Sequence, residues 1–311
     1  MSRIHEALKR AEREKGRAPA QEPEPAPAAA APAAAPAAPA RPLESPTAAT
    51  VITRIETPAV PAAPARPAAP SPSRPALPAL LEGCRQTRWQ SDASKLFFLN
   101  GKNQTFATEQ LRMLRSRLYQ ERERRALKIV LVTSAMPGEG KTFICANLAH
   151  AIARQQEKRV LLVDCDLRSP SLHVILGAPG EPGLAAYLKE EAGVEQILQR
   201  GPQENLFLIP GGGGAANPAE LVARGRLKSM LSQLTPHFDW VLVDSPAAGP
   251  MADALTIADC CDGVLLVVQG GNTPYDVAQG VVQELREKRL LGVVLNRANP
   301  VHGSASRFAS Q

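Results

Sequence analysis

Apolar residues in this chain gather into short continuous runs separated by longer stretches of helical period. The runs are 128–133, 159–163, 206–209, 240–243, 263–268 and 291–295, and Val, Ile and Leu dominate them. Between them, 108–123, 141–155, 183–199, 218–234 and 274–288 read as helices. A strand half exposed to water would alternate apolar and polar side chains, whereas continuous apolar runs belong to strands covered on both faces. The pattern therefore predicts an α/β fold, a mostly parallel sheet flanked by helices on both faces. In such sheets ligands gather beyond the carboxyl ends of the strands.

The first third of the chain lacks this pattern. More than half of the 29 prolines lie between residues 19 and 78, among alanines. Such a stretch cannot bury enough apolar surface to offset its conformational entropy, so 17–88 is expected to be a disordered linker. Ahead of it, residues 1–16 suit a short amphipathic helix, with Ser2 as cap and Ile4, Ala7, Leu8 and Ala11 on one face. That stripe is expected to dock on something outside the chain's own core. The remaining divisions are a domain over 89–299 and a disordered tail over 300–311.

Composition narrows the function classes. The net charge is +6, and residues 102–128 hold eight basic against three acidic side chains. A basic helix there would suit nucleic acid, an acidic membrane surface or an acidic partner. No aromatic-interleaved basic patch or zinc-ligand spacing accompanies it, so no nucleic acid is expected. Cys84, Cys145, Cys165, Cys260 and Cys261 form no CxxC pair, and the last four sit in apolar segments as small core residues. Neither a signal peptide nor a membrane span is expected, which points to the cytoplasm.

The chemistry concentrates after the first strand. There Ala135, four further residues and Gly140-Lys141-Thr142 lead into a helix, the arrangement of a phosphate-binding P-loop. Pro137, Gly138, Glu139, Gly140, Lys141, Thr142 and Phe143 would form the seat for ATP. Backbone N–H groups and the helix N-terminus would face the phosphates, Lys141 would reach the β- and γ-phosphates, and the Thr142 hydroxyl would hold Mg2+. Ala135 replaces the usual first glycine. Metal-binding carboxylates are offered by two more strand ends, Asp164 and Asp166 after 159–163 and Asp244 after 240–243. Crowded together, they would repel one another without a bound cation.

Three segments carry a closer resemblance: 133–142, 162–170 and Val241-Leu242-Val243-Asp244-Ser245-Pro246. They resemble the Walker A, Walker A′ and Walker B motifs of bacterial tyrosine kinases of the CpsD/CapB type, the BY-kinases of capsule and exopolysaccharide synthesis. The resemblance spans about residues 105–299 and includes Asn217-Pro218-Ala219-Glu220-Leu221. It implies a P-loop NTPase fold, tyrosine kinase activity, and ATP and Mg2+ as cofactors. Lys141, Asp164 and Asp166 would be catalytic, and Thr142, Asp164, Asp166 and Asp244 would surround the metal. Asp164 would polarise the incoming tyrosine hydroxyl or its metal environment. Arg168 would meet phosphate charge or pair with a carboxylate, and Asn296 would face the adenine. Glu109, Arg112 and Arg115 resemble an ExxRxxR motif that contacts a neighbouring subunit in a ring.

The resemblance also implies a membrane polysaccharide co-polymerase, or another export component, that recruits the chain to the inner face of the cytoplasmic membrane. Met136 stands where MinD/ParA-type ATPases carry a signature lysine, which favours the kinase group. The family's C-terminal tyrosine cluster is missing, since the only tyrosines are Tyr119, Tyr187 and Tyr275. The substrate is then expected to be a tyrosine on another protein. The alternative is an ATP-dependent assembly switch with little or no kinase activity.

Overall fold

The apolar runs become the strands of one sheet in a computed structural model that describes residues 51–52, 79–92, 94–98, 105–215, 217–249 and 252–298. Among the described residues the strands are β1 (Val51–Ile52), β2 (Arg85–Gln86), β3 (Ile129–Ser134), β4 (Val160–Asp164), β5 (Gln199–Arg200), β6 (Leu206–Ile209), β7 (Trp240–Asp244), β8 (Gly263–Gln269) and β9 (Leu290–Asn296). Their order across the sheet is β1-β9-β8-β3-β7-β4-β6-β5-β2. The six predicted runs form its parallel centre, and the antiparallel pairs, β1 with β9 and β5 with β6, involve two-residue strands.

Every residue of β3, β4, β6 and β7 is buried, as unalternated runs require. Alternate side chains feed two cores. Leu131, Val163, Phe207, Val243 and Leu266 pack on one face with the helices Arg226–Leu234 and Tyr275–Arg286. Val130, Val132, Leu162, Leu242 and Val267 pack on the other with the helices Phe106–Arg124 and Lys141–Ala153. The helix Lys141–Ala153 is buried continuously from Ile144 to Ala153, because it lies between the sheet and the basic helix.

Two predicted helices divide. The stretch 183–199 becomes Leu184–Leu188, Val194–Ile197 and β5, with Glu190 at a φ of 67° turning the chain between the helices. The stretch 218–234 becomes Pro218–Ala223 and Arg226–Leu234, separated by Gly225 at a φ of 79°. A left-handed residue stops a right-handed helix, and glycine adopts that shape at little cost.

The expected end of the linker at residue 88 is corrected by the sheet itself. Leu81 is fully buried, Cys84 is buried, and β2 pairs in parallel with β5. Earlier still, Val51 and Ile52 pair with Leu295 and Val294 on the outer edge of β9. These pieces are two to four residues long and have no period to read, so only pairing with distant strands defines them. The expected N-terminal helix over 1–16 and the tail over 300–311 lie outside the described residues.

Candidate nucleotide site

The phosphate loop runs from the end of β3 at Ser134 to the helix that begins at Lys141. Gly138 and Gly140 hold φ angles of 83° and 91°. At Gly138 the need is conformational only, because an added Cβ would meet nothing within 4 Å. At Gly140 it is also steric, because a Cβ would lie 2.4 Å from Asn296 Nδ2. The loop thus curls tightly and leads into a helix start, where the first N–H groups lack intrahelical partners, a favourable end for phosphate.

Strands β4 and β7 are neighbours in a register that pairs Asp164 with Asp244. The register sets two carboxylates side by side at the carboxyl end of the sheet, next to the loop. Both residues are 0% exposed, and Asp166 is nearly as buried. Asp164 Oδ2 accepts the N–H groups of Ser171 and Leu172, both at 3.0 Å, and Oδ1 accepts that of Asp166 at 3.1 Å. Burial raises the Asp164 pKa to about 6 against the pull of those three donors. Burial, followed by the charge of Asp164, pushes Asp244 well above the ordinary carboxylate range.

Asp244 is the unfinished part of the site. Neither of its buried oxygens has a hydrogen-bond partner among the described residues. The Thr142 hydroxyl lies near enough to favour its charged form but not in hydrogen-bonding geometry. A buried carboxylate without partners is costly, and a cation would relieve that cost. No three His, Cys, Asp or Glu side chains form a cation cage among the described residues. Thr142 itself accepts from the Ser171 hydroxyl at 3.3 Å.

Lys141 Nζ lies 3.0 Å from Asp166 Oδ2. Burial disfavours its charge, but Asp244, Asp166 and Asp164 outweigh burial and hold its pKa above the usual lysine value. The ammonium is therefore charged and is the cation that offsets this carboxylate cluster.

The other expected residues sit as follows. Arg168 Nε pairs with Asp253 Oδ2 at 2.9 Å. Asn296 Nδ2 donates to the Glu139 carbonyl at 2.8 Å and braces the loop from beneath. The Phe143 ring meets Phe97 edge-on at 5.2 Å. Pro137 lies on the shoulder of the loop beside the helix Tyr275–Arg286. The Glu139 side chain is buried and accepts the Met136 N–H at 2.7 Å. On the basic helix, Arg112 pairs with Glu109 at 3.2 Å near the surface, whereas Arg115 Nη1 donates to the Ala151 carbonyl at 2.7 Å within its own domain. Sequence reasoning missed Ser171 and Thr273. Each is far from the motif it serves or acts through groups that carry no sequence signal.

No helix among the described residues is long and apolar enough to cross a membrane. The family profile for the CobQ/CobB/MinD/ParA nucleotide binding domain matches residues 130–307. Tyrosine-protein kinase YwqD of Bacillus subtilis (strain 168) is 34% identical over 191 residues, covering 61% of this chain and 80% of that protein. Succinoglycan biosynthesis transport protein ExoP of Rhizobium meliloti (strain 1021) is 32% identical over 177 residues, 55% of this chain but only 22% of that longer protein. The solved kinase domain of the Escherichia coli tyrosine kinase ETK superposes with a TM-score of 0.59 at 30% identity, covering 63% of this chain and 79% of that one. With its phosphate loop, paired strand-end carboxylates and these relatives, the chain belongs to the CobQ/CobB/MinD/ParA nucleotide-binding family, on the branch of the bacterial tyrosine-protein kinases.

Proposed function

We propose that this chain transfers the γ-phosphoryl group of Mg-ATP to tyrosine hydroxyls of other proteins and thereby regulates the synthesis and export of a capsular or extracellular polysaccharide. The observation that carries the reading is the in-register pair Asp164 and Asp244 beside Lys141, with both Asp244 oxygens unpartnered among the described residues. Phosphoryl transfer asks a protein mainly for positioning and charge neutralisation. When bound, Mg2+ would neutralise charge on the phosphates.

The chain's own residues divide the remaining work. Gly138 and Gly140 shape the loop so that its N–H groups face phosphate, and Lys141 supplies a mobile positive charge now stored on Asp166. Asp244 and Thr142 would hold the metal, with Asp166 free to join them once Lys141 swings to phosphate. Asp164 has the raised pKa of a group able to accept a hydroxyl proton near neutral pH, and its three backbone donors fix its orientation. Glu109 and Arg112, at the surface of the basic helix, are assigned to contact a neighbouring subunit in a ring. Recruitment to the inner membrane face would come from a membrane polysaccharide co-polymerase or another export component, met by the N-terminal segment.

The test is a phosphotyrosine blot after incubation with Mg-ATP and a tyrosine-containing protein substrate. Wild type should label the substrate, and Asp244→Asn and Lys141→Met should lose at least about a hundredfold of that labelling, the scale of removing a preorganised charge from a reacting site. Lys141→Met also strips the carboxylates of their cation, so its melting curve must accompany the blot. A wild type that forms no phosphotyrosine, yet assembles on addition of ATP, would identify an assembly switch instead.

A further inference from the structure

Glu139 has a set of partners that phosphate binding does not explain. Its side chain is buried at 1% exposure, and both carboxylate oxygens are engaged. Oε2 accepts the Met136 N–H at 2.7 Å. Oε1 accepts the Gln269 N–H at 3.3 Å and the Thr273 hydroxyl. That hydroxyl in turn accepts the Gln269 N–H at 3.1 Å. Met136 opens the phosphate loop, Gln269 ends β8, and Thr273 stands just before the helix Tyr275–Arg286. Thr273 is itself only 1% exposed. From the other side Asn296 donates to the Glu139 carbonyl and is held by the Arg297 N–H at 3.0 Å.

The ends of β8 and β9 thus grip one residue of the loop through both its side chain and its carbonyl. Burial pushes the Glu139 carboxyl up, and the Thr273 hydroxyl is the strongest of the donors that oppose this. Buried networks of this kind are stable only when every member is satisfied. Loss of one donor leaves the carboxylate to seek water, and the loop must open for it to do so. We propose that Thr273 is a positioning residue for nucleotide binding: its hydroxyl holds Glu139 inside the turn and so sets the curvature that aims the loop's N–H groups, without itself touching nucleotide.

The inference rests on the loop being a nucleotide seat, and the test separates the two. The full chain is titrated with a fluorescent ATP analogue in the presence of Mg2+, and its melting is followed without nucleotide. Thr273→Val keeps the volume but removes the hydroxyl, and should weaken binding about tenfold, the scale of one buried hydrogen bond. Thr273→Ser, which keeps the hydroxyl, should restore affinity to within about twofold of wild type. Lowered melting with unchanged affinity in Thr273→Val would make the residue merely structural and overturn the proposal. Should that variant fail to fold, Glu139→Gln serves in its place, with the same weakening expected and unchanged affinity overturning. A wild type that does not bind the analogue refutes the nucleotide seat and the clamp together.

Discussion

His150 shows how burial alone sets the behaviour of one residue. It lies in the last turn of the helix Lys141–Ala153 at 5% exposure, and its Nε2 has no hydrogen-bond partner among the described residues. Burial lowers its pKa from 6.5 to about 4. Between those values the unfolded chain binds a proton that the folded chain refuses, so stability falls as pH drops through that window. The full penalty is about 3 kcal/mol, roughly 6–12 °C of melting temperature for a domain of this size. Asp164 acts in the opposite sense. Its folded pKa of about 6 exceeds the unfolded 3.8, so it costs stability as pH rises through nearly the same window. His150→Leu should therefore melt progressively higher than wild type as the pH is lowered from about 6.5 to 4. Parallel melting curves for the two proteins would refute this account.

The helix Phe106–Arg124 joins residues of unlike fate on adjacent turns. Thr105 caps it in a reciprocal box with Thr108, and Leu111, Leu114 and Leu118 bury its apolar stripe. Its length and its basic character were legible in the sequence; the direction of each arginine was not. Arg115 satisfies a carbonyl in the last turn of the helix Lys141–Ala153, where backbone acceptors lack intrahelical donors. Among the described residues Arg112 makes a surface ion pair, with its side chain 34% exposed and that of Glu109 58% exposed. Arg115→Ala should lower stability by about 1–3 kcal/mol, and Arg112→Ala by less than about 0.5 kcal/mol. Thermal melts beside light scattering distinguish the roles. A fall in mass for Arg112→Ala without a change in melting supports the ring contact, and an unchanged mass refutes it. The effect of Arg115→Ala on assembly cannot be read without its melting curve, because that side chain holds its own domain together.

At the scale of the whole molecule, the sheet extends into a stretch whose composition hides it. Leu81 is fully buried in the core that also holds Ile129, Phe207 and Val241, although it follows a long run of proline and alanine. Leu81→Ala should cost about 2–5 kcal/mol, the range for emptying a leucine site in a packed core. Urea unfolding would measure it, and a loss below about 0.5 kcal/mol, the usual range for surface substitutions, would return this segment to the linker. The two-residue strands are legible only as partners. A two-residue strand has no alternation, so β1, β2 and β5 are defined by what they pair with.

The order of residues along the chain carries the architecture and the chemical inventory. Its six apolar runs specify a doubly covered parallel sheet, because strands buried on both faces admit no polar alternation. The loop glycines, Lys141 and the strand-end aspartates stand within a few residues of those runs, so local order was enough to find them. Tertiary structure alone decided which of them share a site and in what electrical state. The register that sets Asp164 beside Asp244, the capture of Lys141 by Asp166, and the Thr273 hydroxyl against Glu139 all join residues well separated in the chain. Such contacts depend on the order of the strands, and no local pattern carries that order. Burial, which raises both Asp164 and Asp244, likewise exists only once the strands have packed.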